Sequence, residues 1–111
     1  MMFADTPEPP YVAVIFTSRR SDDYSEDYGA TAARMMELAQ QQPGFLGVES
    51  ARGSDRLGIT VSYWKDEASI ANWRRHLEHM EAQANGRSHW YEKYVLRICH
   101  VTKQSEYPVG R

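Results

Sequence analysis

The sequence contains a single cysteine, no long apolar run and only a small excess of negative charge. Cys99 cannot form a disulfide within the chain, as is usual for proteins of a reducing cytoplasm. No apolar stretch approaches the roughly 20 residues that a helix needs to cross a bilayer. The first residues also lack the basic and then apolar order of a signal peptide. These absences predict a cytoplasmic protein with no membrane segment.

The charge balance argues against nucleic acid as a partner. The chain has 13 Lys and Arg residues against 15 Asp and Glu residues, and the basic residues are scattered rather than clustered. Its 111 residues, 41% hydrophobic and 25% charged, fit one globular domain. We expect this domain at residues 11–103, after an extended proline-containing arm at 1–10 and before a tail at 104–111.

Hydrophobic periodicity predicts four strands and two helices in the order βαββαβ. The predicted strands are 11–17, 45–50, 57–64 and 91–102, and the predicted helices are about 23–41 and 66–84. Pro43-Gly44 and Asn85-Gly86 are the expected stop signals, and Asp66 is the expected cap of the second helix. This order is that of the ferredoxin-like α+β fold, in which both helices cover one face of an antiparallel sheet.

The first and last strands are apolar on both faces, so the sheet face without helices also needs a cover. We expect a second copy of the chain to supply it, giving a homodimer. In the strand 57–64, alternate residues form an apolar face and a mixed face that includes Trp64. We expect the apolar face to pack in the core and the mixed face to line a cleft.

The second predicted helix carries an uncharged polar stripe beside its apolar one. This stripe contains Asn72, His76, His79 and Gln83, and it either faces a pocket or forms a partly solvated boundary. His76 and His79 are three residues apart, but no third ligand accompanies them, so we predict no metal site. A histidine alone can act as an acid or base near neutral pH.

Three tryptophans and one arginine are further candidates for ligand contacts. The spacing of Trp73 is that of a core residue, whereas Trp64 and Trp90 are better placed to form walls of an aromatic pocket. Arg87 either bonds to backbone carbonyls or a carboxylate near the turn, or steadies an oxyanion in the pocket.

Three stretches, PGFLGVES, ITVSYWKDEASIANWRRH and GRSHWYEKYVLRICHV, resemble the antibiotic biosynthesis monooxygenase (ABM) superfamily. The resemblance implies a dimeric α+β barrel with a pocket between helices and sheet in each subunit. It also implies oxygen chemistry without a metal or flavin, in which an electron-rich phenol or anthrone itself activates O2. The groups available for this chemistry are Trp64, Asn72, Trp73, His76, His79 and Arg87.

The haem-degrading branch of this superfamily uses an Asn on the first strand and a Trp and a His on the second helix. Trp73 matches that Trp, but Gln83 stands at the position of the His and residues 12–17 contain no Asn. We therefore predict a monooxygenase without a cofactor that acts on a small aromatic substrate. Its predicted catalytic residues are Asn72, His76 and His79, and its predicted substrate contacts are Trp64, Trp73, Arg87 and Trp90. The alternatives are a dimeric binding protein without catalysis and a haem-binding, haem-degrading monooxygenase.

Overall fold

The structure, a computed structural model, describes residues 3–20, 36–84 and 91–109, with the backbone alone for residues 77–84. The strands are β1 (Tyr11–Arg20), β2 (Phe45–Arg52), β3 (Leu57–Trp64) and β4 (Tyr91–Val101). Residues 36–40 are helical and are called α1, and the second helix is α2 (Glu67–Ala84). Residues 23–35 of the first predicted helix and the Asn85-Gly86 stop lie outside the described residues, and residue 41 lies in the turn after α1.

The four strands form one antiparallel sheet in the order β2-β3-β1-β4. This order, with helices connecting the strands, confirms the predicted ferredoxin-like α+β fold. β2 is longer than predicted because its pairing with β3 continues to Arg52, opposite Gly58. β1 is longer because its pairing with β4 continues to Arg20, opposite Tyr91. The predicted boundaries of the arm, the domain and the tail stay predictions.

Strand register determines which side chains lie beneath the helices. Val12 lies opposite both Trp64 and His100, so these three side chains share one face of the sheet. α2 packs its buried side chains against this helix-facing surface. The buried core consists of Val12, Val14, Ala39, Trp64, Ile70 and Trp73.

The prediction for the two faces of β3 is wrong. Its apolar face is the outer one, where Leu57 is 38% exposed and Ile59 is 45% exposed. Its mixed face carries Trp64, which is 0% exposed. The helix side takes the mixed face because its one large indole, Trp64, packs in the core with Ile70 and Trp73 of α2.

The start of α2 is held by the predicted cap. Asp66 Oδ1 accepts hydrogen bonds from Ser69 N at 2.9 Å and from Ser69 Oγ at 2.8 Å, and these bonds lower the pKa of the Asp66 carboxyl. The preceding turn requires glycine, because Gly44 has φ 88° and a Cβ there would overlap Ser69 Oγ. Lys65 N also donates to Gly44 O at 2.7 Å.

The N-terminal segment 3–10 lies on the outer face of the sheet. Ala4 N donates to Glu49 Oε2 at 2.9 Å, and Tyr63 OH donates to Glu49 Oε1 at 2.7 Å. Burial, together with this carboxylate, raises the pKa of Tyr63 to about 12. The segment therefore covers one end of the outer face and leaves Leu57 and Ile59 exposed at the other end.

In the described ranges, no helix is both long and apolar enough to cross a membrane.

Candidate functional site

One end of the helix-facing surface carries a closed aromatic cluster formed by Phe45, Trp64, Trp73 and His76. Trp64 meets Phe45 edge-on, with ring centroids 5.4 Å apart, and stacks against Trp73 at 6.3 Å. Trp64 Nε1 donates to Ser62 Oγ at 2.9 Å, so its polar atom is satisfied inside the core. This tryptophan cluster fixes the position of Trp73 on α2.

Two of the three predicted catalytic residues, Asn72 and His76, lie at the rim of the tryptophan cluster. The His76 imidazole stacks on Trp73 at 5.6 Å with an angle of 22° between the rings, and its side chain is exposed. Asn72 lies one helical turn before His76, where Asn72 Nδ2 donates to Gln42 Oε1 at 3.4 Å. Asn72 Oδ1 accepts from Arg75 Nη2 at 3.3 Å.

The structure thus stacks Trp64, Trp73 and His76 in that order, and Asn72 lies one helical turn before His76. Trp64 has no exposed surface, so it supports Trp73 from below. The His79 side chain and the whole of Arg87 and Trp90 lie outside the described residues, and their assignments stay predictions.

The other end of the helix-facing surface carries an open aromatic cluster of Phe16, Tyr91 and Tyr94, called the tyrosine cluster. Phe16 lies 5.5 Å from Tyr91 and 5.2 Å from Tyr94, and the two tyrosines are 5.9 Å apart. Tyr94 is 51% exposed. Ile98, opposite Val14, lies on the same face between the two clusters and is 39% exposed. Apolar surface therefore continues from the closed end to the open end.

A guanidinium reaches Ser18, the residue opposite Tyr94 of the tyrosine cluster. Arg52 reaches across Gly58, donating through Nη2 to Ser18 Oγ at 3.4 Å and through Nη1 to Arg56 O at 2.7 Å. A Cβ at Gly58 would lie 2.5 to 2.8 Å from the Cζ and both Nη atoms of Arg52. The absence of a side chain at Gly58 is what allows this position.

The described residues also line two shallow clefts. One, of about 300 Å³, contains His100, whose Nε2 lies 2.6 Å from Glu67 Oε2 at the start of α2. Both side chains are well exposed, so the pair contributes little to stability. The other, of about 500 Å³, lies along the β2–β3 hairpin.

Within the described part of the chain, no three His, Cys, Asp or Glu side chains are close enough to bind a metal together.

Sequence reasoning missed the tyrosine cluster and Arg52. Both strands that carry the cluster are apolar on each face, so periodicity alone does not tell which alternate residues lie under the helices. The signal that was present is Gly58, a glycine inside a strand, which often marks the close approach of another group.

Comparison with known proteins assigns the chain to a family. A family profile described as antibiotic biosynthesis monooxygenase matches residues 11–85. The chain belongs to the antibiotic biosynthesis monooxygenase (ABM) family. This result confirms the resemblance seen in the sequence.

Two protein sequences are similar to this ABM chain. The uncharacterized protein YqjZ of Bacillus subtilis (strain 168) is 56% identical over 99 residues, which cover 89% of this chain and 86% of YqjZ. A jasmonate monooxygenase ABM of Pyricularia oryzae (strain 70-15) is 32% identical over 92 residues, which cover 81% of this chain. The match spans 43% of that protein's own length.

Solved structures share the fold at low sequence identity. Protein SO0527 from Shewanella oneidensis aligns with a TM-score of 0.70 and 11% identity, over 86% of this chain and 94% of that one. SnoaB from Streptomyces nogalater, a cofactor-independent oxygenase, aligns with a TM-score of 0.66 and 15% identity, over 90% and 99% of the two chains. At these identities the likeness shows the fold of the ABM chain and no more.

Proposed function

We propose that this ABM chain is a monooxygenase that needs no cofactor and acts on a small aromatic substrate. The observation that carries the proposal is the stack of His76 on Trp73 at the rim of an otherwise closed aromatic cluster. It holds an exposed imidazole in a fixed orientation on α2, above the sheet face whose apolar side chains can take an aromatic ring. Membership of the antibiotic biosynthesis monooxygenase family supports the same reaction class.

In this proposal the substrate lies on the apolar surface around Ile98, with its reacting carbon toward His76. His76 removes a proton from the bound phenol or anthrone, because an imidazole is basic near neutral pH. The Asn72 amide hydrogen-bonds the resulting anion, and Trp73, supported by Trp64, holds the ring. His79 is a further proposed base, and Arg87 and Trp90 are further proposed substrate contacts.

The electrons for the reaction come from the substrate. Deprotonated anthrone passes an electron to O2, and the two radicals combine to a peroxide on the reacting carbon. Loss of water then leaves a ketone, so that CH2 and O2 become C=O and H2O with no external reductant. One oxygen atom enters the product and the other leaves in water, which is the balance of a monooxygenase.

Oxygen uptake tests the proposal. Purified protein treated with a chelator is offered phenols, anthrones and quinols, and O2 consumption is followed with an electrode. We expect one O2 per product formed with at least one compound, and a loss of about 100-fold or more in His76→Gln, since general base catalysis typically contributes 10²–10⁴-fold.

His100→Gln is the matched control, because His100 is also exposed, but its imidazole pairs with Glu67 at the start of α2 and not with the tryptophan cluster. No uptake with any compound contradicts the proposal. Binding without uptake would favour the alternative of a binding protein without catalysis. Uptake only after haem is added would favour the haem alternative.

We also propose that two copies pack through their outer sheet faces. Leu57 and Ile59 are exposed there, and exposed apolar side chains gathered on one face favour burial against a partner. Sedimentation should give a dimer at micromolar concentration, which Ile59→Glu converts to a monomer. Ser50→Glu, on the opposite face of the same hairpin, should stay a dimer. A wild-type monomer contradicts this proposal.

A further inference from the structure

Strand register places a cation in the same row as an aromatic side chain on the helix-facing surface. The row crosses β4, β1, β3 and β2: Tyr94 lies opposite Ser18, Ser18 lies opposite Gly58, and Gly58 lies opposite Arg52. Neighbours in such a row have Cβ atoms about 5 Å apart. Arg52 bends back over Gly58 to Ser18, so only Ser18 lies between its guanidinium and Tyr94 in this row.

Arg52 keeps hydrogen-bonding capacity at this position. A guanidinium has five N–H donors, and its bonds to Ser18 Oγ and Arg56 O use one donor from each terminal nitrogen. Its side chain is exposed, so a ligand can reach the remaining donors. The neighbouring cation Arg56 lies 3.3 Å from Glu92, and the nearby Asp55 carboxylate accepts from Leu57 N within the turn.

The shape of the arrangement selects the ligand. Guanidinium groups bind carboxylates with two parallel hydrogen bonds, and aromatic faces bind flat rings. The tyrosine cluster supplies the rings, and Arg52 supplies the fork at their edge. A small aromatic acid meets both groups, whereas a neutral ring of the same size meets only one.

We propose that Arg52 is a specificity-determining residue that binds the carboxylate of an aromatic acid whose ring lies on Phe16, Tyr91 and Tyr94. Gly58 is the positioning residue, since it leaves the space that the guanidinium occupies. The inference rests on the proposed function for the statement that this ligand is the substrate. The binding itself does not depend on turnover.

Equilibrium binding of a matched pair of probes tests the inference. 2-Naphthoate and 2-naphthamide have the same ring and nearly the same shape, and only the first carries a charge at neutral pH. Their dissociation constants are measured by calorimetry for the wild type, Arg52→Gln, Gly58→Ala and Arg19→Gln. Arg19 follows Ser18 on β1 but lies on the outer face of the sheet. Its variant therefore removes the same charge from the opposite face.

The wild type should bind the acid about tenfold more tightly than the amide, as expected for one charge-assisted hydrogen-bonded pair. Arg52→Gln should abolish the preference, and Arg19→Gln should retain it. Gly58→Ala keeps the charge but pushes the flexible end of Arg52 aside, so it should fold and lose most of the preference. This second variant answers the question even if Arg52→Gln fails to fold.

Equal affinity for acid and amide, including no measurable binding of either, overturns the inference. So does an equal loss of preference in Arg19→Gln and Arg52→Gln, which would show a general effect of charge. An acid preference without O2 uptake retains the subsite and removes the monooxygenase. O2 uptake with neutral compounds, together with equal affinity for the acid and the amide, retains the monooxygenase and removes the subsite.

Discussion

The two aromatic clusters lie on the same sheet face and differ in what covers them. In the tryptophan cluster, Phe45, Ile70 and Trp73 surround Trp64 and leave it no contact with solvent. In the tyrosine cluster the rings lie equally close, yet half of Tyr94 remains exposed. Ring contact alone therefore does not make a core. The first cluster serves stability and presents only its rim to a ligand, while the second presents an aromatic surface.

Removal of Trp64 should give the largest effect, because it would leave a cavity of indole size in the closed cluster. We expect Trp64→Ala to lower the free energy of unfolding by about 3–5 kcal/mol, measured by urea denaturation. Tyr94→Ala is the comparison from the open cluster, and it should cost about 1 kcal/mol or less, since much of its surface is already in water. Similar losses in the two variants would contradict the difference between the clusters.

Ligand affinity should show the opposite order. We expect Tyr94→Ala to weaken 2-naphthoate binding about five- to tenfold, because an aromatic pair contributes about 0.5–1.5 kcal/mol beyond its buried area. The midpoint of thermal unfolding should fall much less than in Trp64→Ala. Tyr107→Ala is a suitable control, since Tyr107 is exposed on the tail and outside the cluster. Unchanged affinity in Tyr94→Ala would mean that the ring lies elsewhere.

A smaller, pH-dependent effect should come from the outer face. Burial and Glu49 raise the pKa of Tyr63 from 10.0 to about 12. Below pH 10 the phenol is neutral in both states, and its contribution to stability is fully present. Between pH 10 and 12 only the unfolded chain loses this proton, so stability falls as pH rises.

Urea denaturation at several alkaline pH values measures this fall. Tyr63→Phe should show a shallower decline than the wild type, and Glu49→Gln should narrow the pH window because it removes one cause of the shift. An equally steep decline in Tyr63→Phe would assign the loss to other groups.

The sequence was sufficient for the fold because its signals are local. Asp66 caps α2, Gly44 makes the turn before β2, and the strand pattern gives the βαββαβ order. The faces of the strands were not predictable in the same way. Each strand offers two alternating sets of residues, and the choice between them depends on partners distant in sequence, such as the contact of Trp64 with Ile70. The aromatic groups of the site were therefore only partly predicted.

The position of Arg52 illustrates what sequence reasoning could not supply. An arginine next to a hairpin is ordinarily a solvated charge, and its neighbours in the chain do not include Ser18 or Tyr94. Only the register across four strands brings these residues into one row. Finding this position from sequence would need information on which residues of different strands lie opposite one another.

The four isoleucines provide the most direct test of where a ligand binds. Ile98 is partly exposed between the clusters, Ile70 is buried in the core, and Ile15 and Ile59 lie on the outer face. The δ1-methyl signals are recorded by two-dimensional NMR during a titration with 2-naphthoate. We predict that the Ile98 signal moves most and that the Ile15 and Ile59 signals stay unchanged. Movement of Ile15 and Ile59 with Ile98 unchanged would contradict a ligand site on the helix-facing surface.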